Sequence, residues 1–247
     1  MIKKNKVALI TGASRGIGKA IAYKLASKGY DVLINYNKSE KQANDLCTEI
    51  LKNFNVKALT FKADISKEED VKALFNFAIE NFNKIDVLIN NAGVCNDMEL
   101  SDRTFGQFAN TFKTNVFGVF EISRLVGREM VKSKYGKIVN ISSNNSINCF
   151  YPTSVDYDAS KAALNSLTKN MAIEFAPYVN VNAVAPGWVE TEMNKDLTPD
   201  IMEFEKERIL KKRIGKPEDV ANLVSFLISD EADYINGEII VIDGGMF

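Results

Sequence analysis

Seven short apolar runs, at residues 7–10, 32–34, 58–61, 87–89, 138–141, 181–184 and 239–242, punctuate the chain, and between them lie longer stretches in which apolar residues return every three or four positions. A run too short for a helix and rich in Val and Ile reads as a buried strand, whereas the three-to-four spacing marks one face of a helix. Strands and helices alternating in this way predict a doubly wound α/β fold: a seven-stranded parallel sheet with helices on both faces. Helices are expected from the first glycines through Lys28, closed by Gly29, and over 39–53, 67–81, 104–131, 156–176 and 218–229. Asp64 or Ser66 would cap the third and Pro217 would open the last. A further stretch, 190–212, reads as a substrate lid whose Ile201, Phe204, Ile209 and Leu210 could pack on the core. No repeat, low-complexity tract or Pro/Gly linker divides the chain, so a single domain over 1–247 is expected.

The turn after the first strand, Thr11-Gly12-Ala13-Ser14-Arg15-Gly16-Ile17-Gly18, carries the first chemistry. Glycines between a strand and a helix let the backbone approach a pyrophosphate, whose charge is met by the amides and dipole of the helix N-terminus, as in Rossmann dinucleotide sites. The second strand ends Asn35-Tyr36-Asn37-Lys38 without the carboxylate that would hold a ribose 2′-hydroxyl, and Arg15 lies in the first loop. The pattern favours a 2′-phosphate, hence NADP(H).

Composition narrows the partners and the chemistry. With 31 basic against 32 acidic residues and 46% hydrophobic content, nothing in the charge balance calls for nucleic acid or an anionic membrane. No apolar run approaches the length of a membrane span and none forms a signal core, so a cytoplasmic protein is expected. Cys47, Cys95 and Cys149 show no metal spacing and read as reduced thiols, structural or incidental. The chain has no histidine, which excludes Ser-His-Asp hydrolysis, Cys-His nucleophiles and histidine-bound metal; no metal is expected.

Proton transfer must then use another group, and Tyr157 with Lys161 supplies one. Four residues apart in an Ala-rich helical stretch, they share a face, and a cation beside a phenol favours the phenolate, whose free pKa is about 10. The sequence thus predicts that Lys161 lowers the pKa of Tyr157 and makes it a usable general acid and base.

Together and in this order, the glycine turn, Asn90-Asn91-Ala92-Gly93, Tyr157-x-x-x-Lys161 and Pro186-Gly187 resemble the short-chain dehydrogenase/reductase family over essentially the whole chain. Within it the chain is most similar to bacterial 3-oxoacyl-(acyl-carrier-protein) reductases, through Gly93, Lys113-Thr114-Asn115, the run from Ala185 to Thr191 and the C-terminal tail. The resemblance implies that Ser143 hydrogen-bonds the substrate carbonyl, that Asn115 holds a water linked to Lys161, and that Lys161 positions the cofactor ribose. It further implies cofactor contacts at Asp64 and Ile65 with adenine, at Asn91, Ala92 and Gly93, and at Pro186, Gly187, Val189 and Thr191 toward the nicotinamide. Homotetramers are usual among such proteins, packed through the 104–131 and 156–176 helices and the last strand.

The chain departs from the family pattern in two places. Residues 144–152 replace a small, Gly-containing segment, and Ser143 lies one residue further from Tyr157 than the pattern, leaving Ser142 or Asn144 as alternatives for the inward-facing group. The corner at 175–179 lacks the arginine that meets an acidic carrier, though Lys132 and Lys134 lie near. The activity implied is NADPH-dependent reduction of a ketone, first a 3-oxoacyl thioester on acyl carrier protein in fatty acid synthesis. The alternatives are another alcohol/ketone pair (a steroid, sugar or small secondary alcohol) or a non-catalytic dinucleotide sensor.

Overall fold

Every apolar run becomes a parallel strand. In the computed structural model, which describes residues 5–192 and 198–246, the strands are β1 (Val7–Ile10), β2 (Asp31–Tyr36), β3 (Ala58–Lys62), β4 (Val87–Asn90), β5 (Gly136–Ile141), β6 (Val179–Pro186) and β7 (Ile239–Ile242). They form one sheet in the order β3-β2-β1-β4-β5-β6-β7, all neighbours parallel. Alternate residues of one strand serve opposite layers. Ala8 and Ile10 face the cluster of α1 (Gly16–Ser27), α2 (Glu40–Asn53) and α8 (Pro217–Leu227). Val7 and Leu9 face that of α3 (Glu68–Phe82), α5 (Val119–Ser133) and α6 (Val155–Glu174). The central strands β1, β4, β5 and β6 are covered on both faces, which is why they read as largely apolar runs, whereas the edge strands β3 and β7 are partly exposed. Chain direction across the sheet reverses between β1 and β4, the switch point at whose carboxyl edge such sheets bind ligands. No described helix is long and apolar enough to cross a membrane.

Gly29, with φ +84°, ends α1 as expected, and Pro217 opens α8. Three expectations fail. The single helix over 104–131 is α4 (Phe105–Phe112), a π-helical turn at Lys113–Gly118, and α5. Neither Asp64 nor Ser66 caps α3, which starts behind Lys67 with no side-chain cap. Asp64 instead closes a local turn, its carboxylate accepting from the Ser66 amide at 3.0 Å and hydroxyl at 2.7 Å. Of the four apolar residues expected to pack from the lid, Ile209 is buried, whereas Ile201, Phe204 and Leu210 are exposed. The buried side chain of α7 (Pro199–Arg208) is Glu205. Residues 193–197 of the expected lid lie outside the described residues.

The π turn explains Gly118, a residue that costs a helix about 1 kcal/mol against Ala. A Cβ there would overlap the Ile65 carbonyl, so glycine lets the turn carrying Asn115 lie directly on the segment after β3. We expect Gly118→Ala to cost about 3 kcal/mol by overpacking. For a chain of this size that lowers the melting temperature by about 6–12 °C. Gly106→Ala, in open space on α4, is the control and should be neutral or slightly stabilising. A Gly118→Ala melting curve overlying that of Gly106→Ala would refute the packing argument.

Candidate active site

At the carboxyl edge of β1 and β4 the glycine turn is held by side chains rather than by its own loop. Gly12 has φ +62°, and a Cβ there would stand 2.8 Å from the Ala92 Cα, so only glycine lets the two strand ends close up. Gly18 is as constrained, its Cβ falling 2.5 Å from Asn91 Nδ2 and 2.6 Å from the Gly12 carbonyl. Asn91 donates its amide to the carbonyls of Thr11 (3.0 Å) and Gly12 (2.9 Å), while Thr11 Oγ1 accepts from the N–H groups of Asn91 (3.0 Å) and Ala92 (3.1 Å). Asn35 accepts from the Gly12 amide at 3.2 Å and donates to the carbonyls of Phe61 (3.3 Å) and Ala63 (3.1 Å). Asn35 is buried, and its side chain, like that of Asn91, braces the loop.

This bracing leaves the start of α1 open. Arg15, in extended backbone at the N-cap, makes no side-chain cap, so the first amides of the helix are free to meet an anion. Ser14 is buried beneath the turn, Ile17 is half-buried, and Gly16 (φ +54°) faces Thr191, whose Cγ2 would lie 3.3 Å from a Cβ there. Arg15, Asn37 and Lys38 are exposed beyond β2, and Tyr36 is buried at its end. Burial would raise the Asp64 pKa, but hydrogen bonds from Ser66 and Asn37 and the charge of Lys67 hold it below the usual carboxylate value. Asp64 is therefore anionic, and Arg15 and Lys38 have no ion pair among the described residues. Ile65 is buried under Gly118. Pro186 ends β6 against Ile242. A Cβ at Gly187 would meet the Asp243 Cβ at 2.6 Å, and Val189 is buried beside Gly215. A groove of about 1000 Å³ opens from Gly16 and Thr191 between α1 and α8, walled by charges of both signs such as Lys19 and Glu218.

The reacting end gathers beside β5. Lys161 Nζ lies 5.5 Å from the centroid of the Tyr157 ring, so the two share a face of α6. The amine donates to the Ile141 carbonyl at 2.7 Å. Asn115 is fully buried: its Oδ1 accepts from the Val94 amide at 2.9 Å and its Nδ2 donates to the Val94 carbonyl (2.9 Å) and Ser160 Oγ (3.0 Å). A Cβ on Gly93 would stand 3.3 Å from Asn115 Oδ1 and 3.5 Å from Lys161 Nζ, so β4, the π turn and α6 meet there.

Contacts separate the three polar residues after β5. Ser142 is occupied by Asn165 at 2.7 Å, and Asn144 is buried against Met246 at 3.5 Å. Ser143 is the one of the three that acts on the Tyr157 phenol, pulling its pKa down.

The electrostatics correct one expectation. Burial raises the pKa of Tyr157, Cys95 and Asp158 push it the same way, and only the Ser143 hydrogen bond pulls it down, so the phenol holds its proton more firmly than free tyrosine. Burial also drives Lys161 down to about 8. The ammonium does not lower the phenol here, because it is itself desolvated and turned to the Ile141 carbonyl. A protonated phenol beside a serine hydroxyl is two donors aimed at one place, which suits a substrate oxygen that must gain a proton.

Three features escaped the sequence reading. Cys95, read there as structural or incidental, lies within electrostatic reach of both Tyr157 and Lys161. Asp156 and Asp158, flanking Tyr157, are both buried; carboxylates on the inner face of a helix were a visible signal. The third is a cluster at the substrate side: the buried Glu205 carboxylate accepts from Tyr151 Oη (3.1 Å), Trp188 Nε1 (3.0 Å) and Arg208 (3.0 Å), tying α7 to the 144–152 segment.

Comparison with known proteins gives a consistent picture. A family model described as enoyl-(acyl carrier protein) reductase matches residues 12–247. The chain is 38% identical over 244 residues to a 3-oxoacyl-(acyl-carrier-protein) reductase of Staphylococcus epidermidis, covering 98% of this chain and 99% of that one. It is 40% identical over 245 residues to the protein of the same description from Aquifex aeolicus, covering 99% and 98%. Among solved structures, a short-chain dehydrogenase from Burkholderia cenocepacia in complex with NADP superposes with TM-score 0.90 at 34% identity, covering 97% of each chain. An acetoin dehydrogenase from Salmonella typhimurium gives TM-score 0.89 at 35% identity, covering 98% of this chain and 96% of that one.

Proposed function

The chain belongs to the short-chain dehydrogenase/reductase family of oxidoreductases, and on that premise we propose that it reduces a ketone to a secondary alcohol with NADPH, the ketone being a 3-oxoacyl group carried on acyl carrier protein. The observation that carries this reading is Lys161 5.5 Å from the Tyr157 ring on one face of α6, at the carboxyl edge of a sheet whose turn packs too closely at Gly12 and Gly18 for a Cβ.

NADP(H) is the cofactor this cradle fits. The pyrophosphate would rest on the first amides of α1, the 2′-phosphate would meet Arg15 and Lys38, and Asp64 and Ile65 would border the adenine. Ala92 and Gly93 leave room for the ribose beside Lys161, and Val189 and Thr191 would border the nicotinamide. When bound, it supplies the hydride. Ser143 and Tyr157 then donate to the carbonyl oxygen, Tyr157 gives up its proton as negative charge grows there, and Lys161 holds the ribose. The Asn115 side chain is engaged by Val94 and Ser160, so any water reaching Lys161 would be held by this bracket as a whole.

The acyl-carrier substrate is supported by the full-length similarity to the Staphylococcus epidermidis and Aquifex aeolicus reductases. The same reading makes the chain a single catalytic unit over 1–247 with a lid at about 190–212, working in the cytoplasm as a homotetramer. Exposed Phe105, Phe117 and Phe120 on the 105–133 helices support such packing. A small secondary alcohol is a second reading, favoured by the acetoin dehydrogenase likeness and the unusual 144–152 segment.

Steady-state assays separate these. With NADPH, kcat/KM for acetoacetyl-acyl carrier protein should exceed that for diacetyl or other free ketones by tenfold or more, about 1.4 kcal/mol of transition-state preference. NADH should be poorer by a similar factor. Equal or better use of diacetyl would transfer the assignment to small ketones, and binding of NADPH without turnover of any carbonyl would favour a sensor.

A further inference from the structure

Asp158 follows the reactive tyrosine directly and is buried, a position at which a carboxylate needs hydrogen-bond donors to be tolerated. It has three, all from the segment between Ser143 and Tyr157. Its Oδ1 accepts from Asn145 Nδ2 at 2.9 Å and from Ser154 Oγ at 2.9 Å, and its Oδ2 accepts from the Tyr151 amide at 3.2 Å. The clamped segment is the one that departs in length and size from the family pattern. It also bears directly on the reacting groups, because the Asn145 amide donates to Ser143 Oγ at 3.2 Å. A hydroxyl has one proton and two lone pairs. With an N–H fixed on one lone pair, Ser143 keeps its proton and a single lone pair for the other side.

We propose that Asp158 is a positioning residue for this reaction: by anchoring Asn145 it holds a backbone N–H against Ser143, and so commits the Ser143 hydroxyl to donate into the site. The contacts run from Asp158 through Asn145 to Ser143, and one peptide bond joins Asp158 to Tyr157. Two observations set Asp158 apart from a carboxylate that only caps a helix. All three donors come from outside α6, and the one nearest the chemistry is a side-chain amide whose own backbone N–H touches the reacting serine. The longer segment thus acquires an order that its Asn, Ser and aromatic content would not impose by itself.

The inference rests on the reductase reading, and a set of variants separates the two. Asp158→Ala should lower kcat by about 10- to 100-fold, the cost of a donor misplaced by about 1 Å. Its KM and its NADPH affinity should stay within about twofold of wild type, because no cofactor contact is touched. Asp158→Asn keeps an acceptor oxygen for Asn145 and should lose no more than about fivefold. Asn145→Ala, which leaves the carboxylate two donors, should reproduce the Asp158→Ala loss and reports even if that variant folds poorly. The deciding comparison is in the Ser143→Ala background, itself slower by about 10²-fold: adding Asp158→Ala there should cost less than about twofold, since a residue acting through Ser143 has nothing left to act on. An equal loss in both backgrounds, or an Asp158→Ala enzyme at wild-type turnover, overturns the inference. Tyr157→Phe fixes the floor. If it is inactive while Asp158→Ala is unimpaired, only the positioning role falls; if Tyr157→Phe turns over normally, the reductase reading falls and the role with it.

Discussion

Tyr157→Phe is expected to lower the turnover of ketone reduction by about 10³- to 10⁴-fold while NADPH affinity stays within about threefold. The asymmetry follows from what the hydroxyl does. As general acid it meets the charge developing on the substrate oxygen, an effect of about 10²- to 10⁴-fold alone. It is also one of two donors to that oxygen, and removing a donor of this kind costs about 10²- to 10³-fold. The two losses overlap, because one group performs both roles, so their product overstates the effect. Toward the cofactor the hydroxyl offers at most one hydrogen bond, worth about 1 kcal/mol. Single-turnover measurement of NADPH oxidation beside fluorescence titration of NADPH binding separates the two quantities. Retention of more than about a tenth of wild-type turnover would remove Tyr157 from its role as proton donor.

A phenol whose pKa is raised by burial suits that role in the reductive direction. It carries its proton throughout the neutral range, so each catalytic cycle begins with the acid loaded, and the serine donor then lowers the cost of releasing it. The sequence pointed to the pair through its four-residue spacing, and the spacing was right. What it could not convey was the balance of desolvation against charge, because burial of both groups depends on β4, the π turn and the segment after β5 closing over them.

The same distinction runs through the rest of the molecule. Parallel strands covered by helices are rich in Val and Ile, so all seven were legible to within two residues or so at each end. A π turn keeps nearly the apolar period of an α-helix, so the 104–131 stretch read as one helix; only the propensity cost of Asn115 and Gly118 hinted at a reason, which proved to be the Ile65 carbonyl. In α7 the reading by apolar spacing failed, because the position it buries is Glu205, made tolerable by Tyr151, Trp188 and Arg208 from three separate segments. Asn35 and Asn91 stand where ligand contacts were expected but spend their amides on backbone, a choice set by distances that no spacing encodes.

Loss of the charge at Asp156, the other acid beside Tyr157, should cost more stability than any other single change considered above. Arg103 and Asp156 form an ion pair at 3.1 Å with both side chains at or below 4% exposure. Thr111 Oγ1 donates to the same carboxylate oxygen at 2.6 Å, and Arg103 donates to the carbonyls of Asn96 (2.9 Å) and Thr153 (2.6 Å). The pair thus ties the segment after β4, helix α4 and the start of α6 together one residue before the reactive phenol. Among the described residues, Arg103 Nε and Asp156 Oδ1 are buried without a hydrogen-bond partner. Breaking the pair is expensive, because Asp156→Asn strands a guanidinium that cannot shed its proton: about 3–5 kcal/mol. Melting should fall by about 6–20 °C at every pH from 5 to 8. Arg103→Met strands the carboxylate instead and should cost about as much. Melting curves of both variants beside the wild type test this. If either variant melts with the wild type, the buried pair does not hold the start of α6.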